Sequence, residues 1–352
     1  RPANLDKSKM TRRQALIGIG TAPFCVSAGV VRKKDRVEIA IDRAASYLLK
    51  MQEPDGSFND PSSRQSAQNG YAMTALGILA LAAVGHQPTD PGKFGSALSR
   101  ALTFILRKDP RRGKLEYFGA DGSRMYGHGI TTLCLTEMIG MVDREQTARL
   151  REVAQKAINL ILSSQQVKKS HPKNRGGWRY TPNAHDSDLS ITAWQLLALR
   201  SGKGAGMDVP KEAVDAAVRY LKRSYSSRGG VKGCAYTPGG RPSLAMAAAG
   251  LLSLQVCGEY DSPEANGSAE WLSSQNGIGG GHFYYSAYYY SQAMQKRGGD
   301  VAIKAREVVE KVLLKKQEGD GSWSGNYGPV YCTSMAMLSL SVKYHYLPIY
   351  QH

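Results

Sequence analysis

The sequence has 352 residues, of which 42% are hydrophobic and 21% charged, so the chain can bury a sizeable core and global disorder is excluded. Its formal net charge of +17 indicates an ordinary solvated basic surface, and it also suits an anionic partner such as a diphosphate, a phospholipid surface or an acidic polysaccharide. Nucleic acid is not expected as a partner, because no helix-turn-helix, zinc-finger, RRM or KH signature accompanies the charge.

The N-terminal segment has the layout of an export signal. A basic stretch containing Arg12 and Arg13 precedes an apolar run over residues 15–31. This order predicts a signal peptide of the twin-arginine type over 1–34, and an exported protein that is periplasmic or membrane-associated. An uncleaved membrane anchor is the alternative for the same run. Residues 35–352 are expected to form one domain.

One-sided helices recur along the rest of the chain. In each, apolar residues return every four positions while Lys, Arg, Glu and Asp fill most of the gaps, as expected of a helix with one wet face. The pattern predicts six such helices, of which the fifth, around Trp271 and Leu272, is the weakest. The others carry the apolar pairs Ala40/Ile41, Ala97/Leu98, Val153/Ala154, Ala213/Val214 and Val308/Val309.

A second kind of helix follows each one-sided helix after a glycine-rich loop. Segments 71–85 and 243–258 carry no charge, so helices there must be buried on all sides. Closing six pairs into a ring buries this set, which predicts an all-α (α/α)6 toroid of alternating outer and inner helices with less than about 5% strand. An open superhelix is the alternative. The inner helices are predicted to begin near Tyr71, His128, Asp188, Ser243, Tyr284 and Tyr331.

Three loops carry a family resemblance. Two of them, Gln52-Glu-Pro-Asp-Gly56-Ser-Phe58 and Gln317-Glu-Gly-Asp-Gly-Ser-Trp323, resemble the Gln/Gly/aromatic repeats of squalene and oxidosqualene cyclases. In the third, residues 176–180 are followed by Asp186-Ser-Asp188, which resembles the segment bearing the Asp-x-Asp-Asp motif of class II cyclases. Over residues 38–345 the chain is therefore similar to the terpenoid cyclase and protein prenyltransferase superfamily, which implies the toroid fold.

The side chains of the repeated loops are interpreted as structural. Glycine permits a tight turn after the outer helix, the aromatic side chain packs on the neighbouring hairpin, and the Gln amide bonds exposed groups at helix ends. Gln52, Phe58, Gln317 and Trp323 are assigned to these roles.

The resemblance places chemistry at the mouth of the ring, where the inner helices begin. It implies that Asp188 is a proton donor and Asp186 the first carboxylate of the motif, and His128 is expected to orient the acid. Leu189 stands where the family has its last Asp, so one tuning carboxylate is missing. A helix N-cap at Asp188 is the structural alternative. An aromatic wall that binds substrate and stabilises a carbocation is expected from Tyr71, Tyr126, Trp194, His282, Tyr284, Tyr285, Tyr288 and Tyr331.

Together these features predict a terpene-cyclase-like protein that binds an apolar isoprenoid and cyclises it by general-acid protonation, an isomerase reaction. The rival is a non-catalytic exported protein that uses the cavity or the basic surface to hold a lipid, a glycan or a protein partner. A membrane surface is a further expected partner, and the oligomeric state stays open.

Prenyltransfer and thioester chemistry are disfavoured. The zinc of a prenyltransferase needs an Asp, a Cys and a His at one mouth, and Cys234, Cys332 and His345 come with no Asp-x-Cys pair. The complement-type thioester branch is excluded because no Gly-Cys-Gly-Glu-Gln segment occurs in the sequence. No metal and no cofactor are expected, and the five cysteines have the spacing of neither a disulfide framework nor a zinc knuckle.

Overall fold

The computed structural model describes residues 34–59, 69–344 and 346–351. In that part of the chain twelve α-helices alternate between an outer and an inner layer, the odd-numbered ones outside. They are α1 (Arg36–Lys50), α2 (Gly70–Ala83), α3 (Lys93–Leu106), α4 (Arg124–Met138), α5 (Arg144–Gln166), α6 (Leu189–Gly204), α7 (Lys211–Ser224), α8 (Leu244–Val256), α9 (Pro263–Ser273), α10 (Phe283–Arg297), α11 (Gly299–Lys316) and α12 (Pro329–Leu340).

The two layers differ in how their side chains are buried. Every residue of α2 after its first is buried, and nearly all of α8 is buried as well. Helix α7 instead buries one face, formed by Ala213, Val214, Ala217, Val218, Tyr220, Leu221 and Ser224. Each large apolar side chain taken out of water contributes roughly 1.5–3 kcal/mol. The inner helices are therefore stable only inside the ring that surrounds them.

The inner helices close into a ring. Each packs against the next one along the chain, and α12 packs against α2. The outer layer closes as well, since α11 contacts α1. The predicted (α/α)6 toroid is thus confirmed, and the open superhelix is wrong.

The Gln side chains of the repeated loops join neighbouring hairpins. Gln52 Nε2 donates to the Ala97 carbonyl of α3 at 2.8 Å, and Gln317 Nε2 donates to the Ala40 carbonyl of α1 at 2.8 Å. Both amides also bond a glycine carbonyl of their own loop. In the second loop Gly321 turns at φ +96°, where a Cβ would meet the backbone of α1. Gln317 therefore ties the last outer helix to the first, as its structural role requires.

The aromatic side chains of these loops fill the space between hairpins. Phe58 is fully buried against Gly77 of α2, where a Cβ would come within 2.6 Å of the ring. Trp323 is also fully buried, and its Nε1 donates to the Leu313 carbonyl at 2.9 Å. The structural interpretation of Phe58 and Trp323 is confirmed by these contacts.

The remaining regular structure is small. Two strands, β1 (Tyr225–Ser226) and β2 (Gly233–Cys234), form an antiparallel pair in which Tyr225 lies opposite Cys234. Short 3-10 helices include Pro110–Arg112, Phe118–Asp121, Pro172–Asn174 and Pro348–Tyr350. The predicted starts of the inner helices agree with the structure to within a few residues, with Asp188 and Ser243 as N-caps.

No helix within the described ranges is both long and apolar enough to cross a bilayer. The predicted signal or anchor over 1–34 lies, apart from Lys34, outside the described residues, as does His345. The four described cysteines, Cys134, Cys234, Cys257 and Cys332, are free thiols.

Candidate functional site

Asp188 is a buried carboxylate at the start of α6. Its Oδ1 accepts a hydrogen bond from the Ile191 backbone N–H at 2.9 Å and one from the Ser190 hydroxyl at 2.7 Å, which makes it the N-cap of the helix. Its Oδ2 accepts from Arg179 Nη1 at 3.2 Å. The side chain is 0% exposed, so these three donors take the place of water around the carboxylate.

The surroundings of Asp188 raise the pKa of its carboxyl on balance. Burial raises the pKa of the Asp188 carboxyl above its ordinary value, because a charge is costly away from water. The Ile191 N–H, the Ser190 hydroxyl and the Arg179 guanidinium stabilise the anion and offset part of this rise. A carboxyl whose pKa is raised holds its proton closer to neutral pH, which is what a general acid needs.

Arg179 links the two carboxylates of the motif. Its Nε lies 3.2 Å from Asp186 Oδ2 while its Nη1 bonds Asp188. The guanidinium lies over the rings of Tyr180 and Tyr236, at 4.7 and 5.5 Å from their centroids, and the two tyrosine hydroxyls are 2.5 Å apart. Because the Asp186 side chain is 56% exposed, Asp186 forms the solvent side of this cluster and Asp188 the buried side.

Leu189, which stands where the cyclase motif has its last Asp, packs as an apolar side chain against a neighbouring inner helix. It is fully buried, and its Cδ1 lies 3.9 Å from where a Cβ on Gly250 of α8 would be. A carboxylate in this position would be buried against α8. The site therefore has one deeply buried acid.

Tyrosines surround Asp188 at the mouth of the ring. Tyr126 OH lies 2.5 Å from Ser190 Oγ, which in turn donates to Asp188, so one hydrogen-bonded chain joins α4 to the acid. Burial raises the pKa of the Tyr285 hydroxyl on α10 well above its ordinary value, and the neighbouring Tyr126, Tyr331 and Asp188 add to the rise. The structure thus links Tyr126 to Asp188 through Ser190, and Tyr285 lies near both.

Below the mouth, aromatic rings cross the axis of the ring. Trp194 stacks on Tyr288, with centroids 5.5 Å apart and planes 6° apart, and it meets the edge of Tyr289 at 5.6 Å. Trp194 belongs to α6 and the tyrosines to α10, two inner helices separated by α8. These rings therefore form an aromatic layer across the interior.

A cavity of about 190 Å³ opens at the mouth between α10 and α12. His282, Tyr284, Tyr285 and Tyr331 line it, together with Tyr327 from the loop before α12. Tyr284 OH donates to the Ser324 carbonyl at 3.0 Å, and Tyr327 OH lies 3.1 Å from His282 Nδ1. These residues make the cavity largely aromatic, with hydroxyl and imidazole groups at its rim.

Tyr71 lies away from this wall. Its hydroxyl donates to Asp109 Oδ2 at 2.8 Å, and its ring packs on Phe104 of the outer helix α3 and on Phe118, each at 5.4 Å. Tyr71 therefore packs α2 against the outer layer.

His128 has a structural environment, and the expectation that it orients the acid is corrected. It lies inside α4, is fully buried, and uses both ring nitrogens on backbone groups. Nδ1 accepts from the Phe118 N–H at 3.3 Å, and Nε2 lies 3.0 Å from the Ala157 carbonyl of α5, to which it must donate. The imidazole thus holds an inner helix to an outer one.

The buried thiols are poor ligands and nucleophiles. Burial raises the pKa of the Cys234 thiol and of the Cys332 thiol to about 12 in each case. Cys234 also donates to the Leu221 carbonyl at 3.6 Å. Among the residues that the structure describes, no group of three or more His, Cys, Asp and Glu side chains is placed to hold a metal ion.

Three residues of the cluster, Arg179, Ser190 and Tyr236, were not among the predicted site residues. Arg179 directly follows the conspicuous Trp178, and Ser190 lies in the first turn after Asp188, so both had a signal in the motif itself. Tyr236 comes from the loop after β2, and its position at Arg179 depends on tertiary structure that no local pattern reveals.

Residues 29–237 match the family model of the A-macroglobulin TED domain, which is more than half of the chain. The chain belongs to the A-macroglobulin TED domain family. This membership corrects the exclusion of the complement-type branch as a family, because the match extends over 29–237 although the sequence has no Gly-Cys-Gly-Glu-Gln segment. The segment Gly233-Cys234-Ala235 of this TED domain protein is not the thioester sequence, and the Cys234 thiol is buried.

The TED domain protein also has a curated relative among terpene synthases. It is 26% identical over 215 residues to drimenyl diphosphate synthase of Streptomyces showdoensis. The match takes in 60% of this chain but 35% of the relative, so the chain spans about a third of that protein.

Solved structures confirm the fold. The GH76A alpha-1,6-mannanase of Salegentibacter sp. HEL1_6 has a TM-score of 0.65 at 12% identity, over 89% of this chain and 100% of that one. A variant of the type II terpene cyclase MstE from Scytonema, in complex with merosterolic acid A, has a TM-score of 0.58 at 16% identity, over 89% of this chain and 98% of that one. Candida albicans protein geranylgeranyltransferase-I with GGPP has a TM-score of 0.55 at 14% identity, over 87% of this chain and 91% of that one. At these identities the likeness establishes a terpene-cyclase-like fold.

Proposed function

We propose that this terpene-cyclase-like protein binds an isoprenoid chain at its tyrosine-lined mouth and cyclises it with Asp188 as general acid. The single observation that carries the proposal is a fully buried carboxyl with a raised pKa that is joined to Tyr126 through the Ser190 hydroxyl and has Tyr285 nearby. The terpene synthase relative and the fold of the terpene cyclase support the same class of reaction.

The chemistry follows from the two kinds of group. The Asp188 carboxyl transfers its proton to a terminal alkene carbon, and the neighbouring carbon becomes a cation that the next double bond attacks. Aromatic faces stabilise this positive charge as it moves along the chain. The cyclised cation finally loses a proton from an adjacent carbon, so substrate and product are isomers and the carboxylate regains its proton.

A non-catalytic binding protein is the second candidate. It is favoured by the same contacts of Asp188, because Oδ1 caps α6 and Oδ2 pairs with Arg179, which together give the carboxylate a structural role. In this case the mouth would hold a lipid or a glycan without converting it. The likeness to a mannanase fold agrees with a glycan ligand. Zinc-dependent prenyltransfer is the least supported, since Cys234 and Cys332 are buried.

A basic groove supports a membrane surface as partner. Lys173, Arg175, Arg219 and Arg223 line it, on the outer wall beside the loop that leads to α6. None of the four is in an ion pair within the described part of the chain. Acidic phospholipid headgroups would neutralise this charge near the mouth, where an apolar substrate would enter from the bilayer.

The test pairs two aspartate variants. Purified protein is incubated with farnesyl diphosphate and with geranylgeranyl diphosphate, and the products are identified by mass spectrometry. Asp188→Asn should lower turnover by roughly 10²–10⁴-fold, because the amide has no proton to donate. Asp186→Asn is the matched control, since it contacts the same Arg179 from a half-exposed position and should keep most of the turnover.

The outcomes separate the two candidates. Equal turnover of the wild type and Asp188→Asn on a converted probe would end the catalytic proposal. Saturable binding of a probe without any conversion by the wild type would favour the binding protein instead.

A further inference from the structure

The far end of the ring is closed by the C-terminal segment 346–351, which we term the C-terminal strap. The Ile349 backbone N–H donates to Glu137 Oε2 at 3.1 Å. Glu137 lies in the last turn of α4, is 1% exposed, and also accepts from the Ser201 hydroxyl at the end of α6. A buried carboxylate at the far end of two inner helices thus holds the strap in place.

Tyr350 reaches from the strap into the interior. It is buried, and its hydroxyl is hydrogen-bonded to that of Tyr288 on α10. Tyr288 is in turn the ring that stacks flat on Trp194 across the axis. These contacts join Tyr350, Tyr288 and Trp194 into a continuous column that runs from the C-terminal strap to the aromatic layer.

The height of this column limits the space above it. Trp194 lies six residues after Asp188 on α6, so at a rise of about 1.5 Å per residue the layer is about 9 Å below the acid. Under the proposed function, an apolar chain that enters at the mouth would meet Tyr288 and Trp194 as a floor. Tyr288 is held in its position by the hydrogen bond between its hydroxyl and that of Tyr350.

We infer that Tyr350 is a specificity-determining residue: through Tyr288 it sets the depth of the interior and so the length of isoprenoid chain that the ring accepts. This inference rests on the proposed function. Removing the ring of Tyr350 leaves a space under Tyr288, into which Tyr288 can rotate, and the interior then deepens along its axis. The preference of the protein should shift toward longer chains.

The first measurement compares binding of two neutral probes, farnesol and geranylgeraniol, by titration calorimetry. Tyr350→Ala should shift relative affinity toward the longer alcohol by roughly tenfold compared with the wild type, because more of its apolar chain is buried. Tyr350→Phe keeps the ring and loses only the hydroxyl, so the preference should stay as in the wild type. Tyr346→Ala is the matched control, since this tyrosine of the same strap is 46% exposed.

The second measurement needs no ligand. Acrylamide quenching of Trp194 fluorescence, obtained by difference from the Trp194→Phe protein, reports access to the floor. Quenching should rise in Tyr350→Ala and stay unchanged in Tyr346→Ala, and the melting temperature of each variant shows whether it is folded.

Each result decides one claim. Unchanged quenching in a folded Tyr350→Ala protein would show that Tyr350 does not close the interior. Binding of both alcohols with an unaltered preference in that variant would overturn its role in chain length while leaving the proposed function standing. If the wild type binds neither alcohol, the proposed function fails and chain-length selection fails with it. The quenching measurement alone then decides whether Tyr350 closes the interior.

Discussion

His128 makes the stability of this protein depend on pH. Its neutral ring uses Nε2–H to donate to the Ala157 carbonyl and Nδ1 to accept from the Phe118 N–H, and full burial lowers its pKa from 6.5 to about 4. In the unfolded chain the ring is expected to titrate near its ordinary value. Between these two pKa values the unfolded state binds one more proton than the folded state, so stability falls as the pH falls from 6.5 to 4.

The size of the effect follows from the two pKa values. At about 1.4 kcal/mol per pKa unit, the free energy of unfolding should fall by about 3 kcal/mol over this range, and the loss should level off below the lower pKa. The measurement is urea unfolding of wild type and His128→Gln at several pH values between 7 and 4. Glutamine can keep both hydrogen bonds but does not titrate, so the variant should lack this part of the pH dependence.

Comparing the wild type with His128→Gln cancels the contributions of other titrating groups to the pH dependence of stability. Burial also lowers the pKa of His86, and burial raises the pKa of Asp121 and Asp188. These groups are present in both proteins, so their contributions cancel in the difference. Parallel curves of unfolding free energy against pH for wild type and His128→Gln would refute the assignment of the neutral, buried imidazole.

Two further predictions concern location. Changing Arg12 and Arg13 to Lys should block export through the twin-arginine route while the protein still folds in the cytoplasm, as measured by fractionation, and normal export of the variant would remove the twin-arginine interpretation. Changing Lys173 and Arg219 to Gln should weaken binding to vesicles that contain acidic phospholipid by roughly tenfold or more, since each basic residue near such a surface contributes about 1 kcal/mol. Lys211→Gln, which removes a cation already paired with Asp215, is the control, and an equal loss in both proteins would mean that the groove has no special role.

The ring could be predicted from the sequence because its determinants are local. A run such as 71–85, apolar on every side, can only be an inner helix, and the spacing of Gln52 and Phe58 around a glycine already specifies the loop between two hairpins. These patterns depend on neighbours in sequence. They give the order and the layer of each helix without any knowledge of the rest of the fold.

The direction in which a side chain points on an inner helix could not be predicted in the same way. Tyr71 and Tyr126 both lie near the start of an inner helix, yet Tyr71 faces Phe104 in the outer layer while Tyr126 bonds Ser190 at the mouth. A helix that is buried all round has no polar face to fix its rotation in the sequence pattern. The role of His128 was wrong for a related reason, since its ring points to the Ala157 carbonyl of the outer helix α5 and not to Asp188.

Asp188 shows why the cap and the acid need not exclude each other. The cap uses Oδ1, which is bonded to the Ile191 N–H, whereas Oδ2 faces Arg179 and carries no backbone bond. A proton on Oδ2 would leave the cap intact and would weaken only the contact with Arg179, which keeps a second carboxylate in Asp186. In Asp188→Asn the amide oxygen can take the place of Oδ1, because Asn caps a helix about as well as Asp, but its NH2 group then faces the guanidinium and one ion pair is lost. A modest fall in stability of this variant is therefore expected under either role. Turnover, compared with Asp186→Asn, is the quantity that distinguishes an acid from a cap.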